Sequence, residues 1–134
     1  AIESAAARAA AERRTDEDVA EMRRHLAGMR DATGSARDFA EADLQFHNAI
    51  GRASDNALMR SLAAVIETAL MASFRMSSPV NEAEEHQTSV RGHAQIVDAI
   101  EARDGERAAR AMRDIIGHGV SRIEKSRTSA KRRK

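Results

Sequence analysis

Residues 38–50, DFAEADLQFHNAI, place Phe39, Asp43, Phe46, His47 and Ile50 three or four positions apart. That spacing is one face of an α-helix, and the face is apolar except for a carboxylate and an imidazole. Desolvating either group alone is costly, so each must be paired, hydrogen-bonded or bound to an ion. A second stretch, residues 90–100, VRGHAQIVDAI, sets Val90, His93, Val97 and Ile100 on another inward face. One Asp and two His on two core-facing stripes can supply most of the shell of a first-row divalent metal. A buried Asp–His hydrogen bond, or an Asp capping a neighbouring helix, satisfies the same pattern.

The chain has 134 residues, no Cys, Trp or Tyr, one Pro and three Phe. It is long enough for one domain with a core of its own, and its Ala, Glu and Arg content favours helix. Without cysteine there is no disulfide or thiolate site, which suits a reducing, cytoplasmic setting. No apolar run is long enough to span a bilayer, so no membrane partner is expected. The near-neutral charge is unevenly placed. Lys125, Arg127, Lys131, Arg132, Arg133 and Lys134 crowd the end without an acid among them, and setting them aside leaves 16 basic against 21 acidic residues. Residues 1–124 therefore read as an acidic globule, a poor phosphate binder. Residues 125–134 read as a basic, disordered tail.

Helix starts are legible at Thr15-x-x-Asp18, Ser35-x-x-Asp38 and Asn81-x-x-Glu84, each with a capping acceptor and an acid or acceptor three residues on. Ser54 or Asp55, and Asp104, read as further caps, and Asn56 as a cap or a pocket amide. Breaks fall at Thr33-Gly34, Ser77-Ser78-Pro79 and Asp104-Gly105. The pattern predicts helices near 2–13, 16–31, 36–52, 55–76, 82–102 and 105–125, joined by short loops. That is an all-α, antiparallel bundle of six to seven helices. Ala5, Ala6, Ala9 and Ala10 are placed to let the first helix pack closely on a neighbour.

Further side chains are candidates for the same end of the bundle. His118 flanks the stripe Ala108, Met112, Ile115, Gly119, Ile123 and is a possible additional metal ligand. His86, seven residues before His93, is a ligand or a pocket wall for an effector. Glu67 is an inward acid that could orient a histidine, and Ser73, Arg75 and Ser77 could meet a small anion. His25 reads as a helix-flank histidine. Imidazole and carboxylate without sulfur suit zinc, nickel or a similar divalent ion. Such a shell fits an effector sensor or a metal-dependent hydrolase or lyase. The enzyme reading lacks an HExxH base, a Gly-rich phosphate loop and a nucleophile elbow. A third reading is a structural dimerisation module whose Asp and His are merely hydrogen-bonded. A metal held by imidazoles is expected to weaken as pH falls through about 6.5.

The order DLQFHNAIGRASDNALMRSL (43–62), then GHAQIVDAIEARDGERAARAM (92–112), resembles the FCD ligand-binding domain at the C-terminus of FadR-type GntR transcription regulators. Its specific elements are D-x-x-F-H followed by A-x-x-N, and H-x-x-I-x-x-A-I-x-x-x-D followed by A-x-x-A-M. The wording around IETALMASFRMSS and AMRDIIGHGVSRI is most similar to the branch that senses sugar acids such as galactonate. The resemblance implies an antiparallel helical bundle, normally a homodimer, that binds a small carboxylate at a metal held by one Asp and three His. Asp43, His47 and His93 match the first three; Ile115 stands where the last His is usual, and His118 lies one turn beyond. The winged helix-turn-helix domain that normally precedes this region has no counterpart here, so DNA is expected to be met only through that missing part.

Overall fold

The computed structural model describes residues 2–76 and 82–133, and within them every side chain except those at 63, 66, 67, 70–76, 123 and 126. Among the described residues six helices follow one another: α1 (Ile2–Arg13), α2 (Asp16–Asp31), α3 (Ala36–Ala53), α4 (Ala57–Met76), α5 (Ala83–Glu101) and α6 (Gly105–Arg132). No strand occurs among the described residues, and the fold is an all-helical bundle.

The helix starts have the physical causes that the sequence predicts. Thr15 and Asp18 form a reciprocal capping box, with Asp18 N–H donating to Thr15 Oγ1 at 3.1 Å and Thr15 N–H to Asp18 Oδ2 at 2.9 Å. Ser35 Oγ accepts from Asp38 N–H at 3.2 Å, and Asp104 Oδ1 from Arg107 N–H at 3.1 Å. At the start of α4 the cap is Asn56, whose Oδ1 accepts from Met59 N–H at 3.0 Å. Ser54 turns its hydroxyl back to the Gly51 carbonyl at 2.6 Å instead. The Asn81 cap lies outside the described residues; Glu82 occupies the N-cap of α5 without a side-chain bond.

α3 packs against both α2 and α4, α1 against α6 and α3, and α5 against α2 and α6. Phe46, Met22, Met29, Ile50, Ile96, Ile100 and Met112 fill the centre, each with under 2% of its surface exposed. Burying a large apolar side chain contributes about 1.5–3 kcal/mol, so these few positions dominate the packing. On α1 the buried alanines are Ala6, Ala7, Ala10 and Ala11. Ala5 and Ala9, two of the four expected to make that contact, are only half-buried, so the packed stripe is turned from the expected one. Ala surrounds Ala in this segment, and hydrophobicity alone carries no contrast with which to orient it.

The junctions are stapled by arginines. Arg103, with φ +57°, donates to the carbonyls of Glu12 and Arg14 at 3.2 Å each, and Arg14 donates to the Glu101 carbonyl at 2.6 Å. The turn between α5 and α6 is thereby tied to the turn between α1 and α2, where open helix-end carbonyls need donors.

The largest departure from the sequence reading is at the end of the chain. α6 continues to Arg132, beyond the expected stop near 125, so the stretch expected to be a disordered tail is helical over most of its length. Ala, Arg, Lys and Glu are good helix formers, and Lys131 and Arg132 in the last turn meet the negative end of the helix dipole.

Candidate metal centre

α3 and α5 bring together Asp43, His47 and His93, whose ligand atoms lie within 4.8 Å of one another, all three residues being buried. Asp43 and His47 share the inner face of α3 one turn apart, and His93 comes from the facing turn of α5. Asp43 Oδ1 stands 3.0 Å from His47 Nε2 and 3.1 Å from His93 Nε2. Phe46 meets both imidazoles edge-on, at ring-centroid separations of 5.7 and 5.1 Å, and fixes their planes.

The tautomers follow from the outer hydrogen bond. His93 Nδ1 lies 2.7 Å from the Ser89 carbonyl, which can only accept, so Nδ1 carries the hydrogen. In a neutral His93 the Nε2 lone pair then faces a carboxylate oxygen. That arrangement is repulsive unless a proton or a cation stands between them. Burial by itself pushes the Asp43 carboxyl up, but the charge and hydrogen bonds of His47, with those of His93, hold it well below the usual carboxylate range. An ionised carboxylate and, once the imidazoles are neutral, their Nε2 lone pairs form the donor set, with no sulfur. With bond lengths of about 2.0–2.2 Å, neighbouring ligand atoms of an octahedral shell lie about 3 Å apart, and those of a tetrahedral shell slightly further. The two Oδ1–Nε2 separations of 3.0 and 3.1 Å fit such a shell and equally fit charged hydrogen bonds.

Other residues at the centre escaped the sequence reading. Glu3 of α1 is buried, with Oε2 3.6 Å from His47 Nδ1. Arg122 of α6 feels the carboxylates of Asp43 and Glu85, which offset part of the fall in its pKa caused by burial. Arg122 also lines a cleft of about 370 Å³ between α5 and α6, with Glu85, Thr88, Ser89, His118 and Ser121. Ser89 links that cleft to the centre, since its carbonyl holds His93. Arg122 lies seven residues after Ile115, on the same stripe of α6, and that spacing was the available signal.

His118, offered as an additional ligand, does not join the cluster. It is exposed on α6 and lines the outer cleft. One residue before the buried Gly119, it is rotated about 100° off the inward face. Ile115 is half-buried and packs over Gly92, where an added Cβ would come within 2.2 Å of its Cδ1. His86, offered as an effector contact, is buried in the core, its Nε2–H donating to the Met29 carbonyl at 2.8 Å and its ring edge-on to Phe39. It satisfies a carbonyl near the end of α2. His25 sits on the helix flank, 3.6 Å from Glu21. Glu67, Ser73 and Arg75 belong to α4, but their side chains, and Ser77 altogether, lie outside the described residues.

Comparison with known proteins agrees with this architecture. The model of the FCD domain matches residues 1–118. The chain is 31% identical over 123 residues to the galactonate operon transcriptional repressor of Escherichia coli (strain K12), covering 92% of this chain and 53% of that protein. It is 32% identical over 112 residues to the HTH-type transcriptional repressor NanR of Salmonella newport (strain SL254), covering 83% and 43%. Among solved structures, E. coli McbR/YncC shares the fold with a TM-score of 0.82 over 92% of this chain and 63% of that one, at 18% identity. The chain spans about half the length of the curated relatives it matches. Those relatives are named as transcriptional repressors and the matching domain is a regulator domain, so the hydrolase or lyase alternative falls away. The chain belongs to the FCD domain family of GntR-type transcription regulators.

Proposed function

We propose that this domain senses a small carboxylate, a sugar acid such as galactonate, through a divalent ion held by Asp43, His47 and His93. The observation that carries the reading is the shared Asp43 Oδ1, with two imidazole Nε2 atoms at 3.0 and 3.1 Å and the His93 Nδ1–H already given to Ser89. Zinc or nickel suits these donors, and when bound it supplies a Lewis-acidic anchor for carboxylate oxygens. With three protein ligands the shell keeps positions open for a small molecule. Arg122 supports the reading as a second positive charge, one that an anionic group would share with the carboxylates of Asp43 and Glu85, and the cleft it lines is of ligand size. The first relative's name, a repressor of the galactonate operon, points to the same class of ligand.

In the regulator the domain acts in the cytoplasm as a homodimer and reaches DNA through a winged helix-turn-helix domain outside this chain. Leu58, Leu62 and Val65 support a protein-facing surface. They form an exposed apolar stripe along α4, with Leu58 and Val65 each 68% exposed. Effector binding changes DNA affinity by the difference in its affinity for the two arrangements of the helices.

The test is elemental analysis of the purified chain, paired with thermal unfolding with galactonate and other sugar acids, with and without a chelator. Bound metal, and a stabilisation by sugar acid that the chelator abolishes, is the expected result. A ligand present at about 100 times its Kd should add about 2.7 kcal/mol. Absence of metal together with chelator-insensitive unfolding would overturn the reading and favour the purely structural one.

A further inference from the structure

Glu3 is a carboxylate in an unusual place. It is 6% exposed, on the first turn of α1, and its Oε1 is buried with no hydrogen-bond partner among the described residues. Acidic side chains are almost never buried unless something compensates them. Its Oε2 faces Nδ1 of His47 at 3.6 Å, on the side of the ring away from Asp43.

The two histidines of the centre are therefore arranged alike. Each turns Nε2 to Asp43 Oδ1 and Nδ1 towards an oxygen acceptor, the Ser89 carbonyl for His93 and the Glu3 carboxylate for His47. Histidines that bind metals through one nitrogen almost always give the other N–H to such an acceptor, which fixes the tautomer and makes the ligand more basic. A contact of 3.6 Å stops short of a hydrogen bond. An ion at Nε2 leaves the proton on Nδ1, and the closing of this gap is then favourable.

We propose that Glu3 is a positioning residue of the metal centre, accepting the Nδ1–H of His47 and thereby tying α1 to the ion. The inference rests on the metal reading above. It adds charge balance, because Asp43 and Glu3 together match a divalent ion while neutral imidazoles contribute nothing. It also adds a mechanical link. Asp43 and His47 belong to α3 and His93 to α5, so Glu3 is what makes α1 respond to occupancy.

The experiment measures Zn²⁺ affinity of the full chain by competition with a chromophoric chelator, and the visible spectrum of its Co²⁺ form, for wild type, Glu3→Gln and Glu3→Ala. Affinity should fall about tenfold in Glu3→Gln and up to about 100-fold in Glu3→Ala, with a shifted Co²⁺ spectrum in both. The metal-free Glu3→Gln protein should unfold at the wild-type temperature. A Glu3→Gln protein with Zn²⁺ affinity within about twofold of wild type and an unchanged Co²⁺ spectrum overturns the proposal and leaves the metal reading standing. A wild-type chain that binds neither ion overturns both. If Glu3→Ala does not fold, the isosteric Gln variant decides.

Discussion

His93 Nε2 meets Asp43 Oδ1 at 3.1 Å, and through this contact α5 is joined to α3 by a charge inside the bundle rather than by apolar packing alone. Replacing His93 by Ala takes away one of the two imidazoles that compensate a buried carboxylate. The metal-free variant should lose about 1–3 kcal/mol in urea unfolding and should bind no Zn²⁺. A His93→Ala protein with wild-type stability and wild-type metal affinity would show that the contact does neither job.

The depressed pKa of Asp43 makes a pH prediction with a definite sign. Its carboxyl titrates lower in the folded than in the unfolded chain, so the unfolded state binds more protons between the two values, and stability there rises with pH. The contribution is complete above the unfolded value of about 3.9 and is lost as pH falls from there towards the lower folded value. Urea midpoints of the metal-free chain should drop between about pH 4 and 2, and Asp43→Asn should flatten that drop. Equal slopes for the two proteins would rule out Asp43 as its source.

The proposed ion and Arg122 should be separable. Arg122→Ala should leave Zn²⁺ binding nearly intact while weakening sugar-acid binding by tenfold or more, since a desolvated charged hydrogen bond contributes about 1.5–3 kcal/mol. Calorimetric titration with metal, then with galactonate, reads the two steps in turn. Loss of metal affinity with unchanged galactonate affinity would invert the assignment.

His86 gives the opposite control. His86→Leu keeps the volume roughly constant but removes the donor to the Met29 carbonyl, which among the described residues then keeps only the 3.3 Å bond from Ala32 N–H. A destabilisation of about 1–3 kcal/mol is expected, without change in metal or sugar-acid affinity. A change in either affinity would return His86 to the effector site.

The bundle was legible because the periodic stripes of α3 and α5 contrast sharply with their polar faces, and because Thr15, Ser35, Asn56 and Asp104 mark where helices begin. The Asp43, His47 and His93 cluster was legible for the same reason, since polar residues on an apolar stripe have nowhere else to point. Glu3 was not legible. It precedes an Ala-rich run in which every face is nearly alike, so nothing in the pattern says which way the first turn looks. Arg122 was hidden by its neighbours, reading as one more cation near a basic end. His118 misled for a geometric reason, as a histidine flanking a stripe and a histidine within it differ by a single residue of rotation.

α6 runs without a break from its seat at Gly105, where an added Cβ would come within 3.0 Å of Arg8 Cγ, past Arg122 beside the Asp43, His47 and His93 cluster, to Arg132. At about 1.5 Å per residue it is a rod of about 42 Å, and a tilt of about 5° at the seat swings the far tip by about 4 Å. Ångström-scale adjustments around an ion and a small acid would thus be magnified along a stiff lever whose free arm carries a row of positive charges.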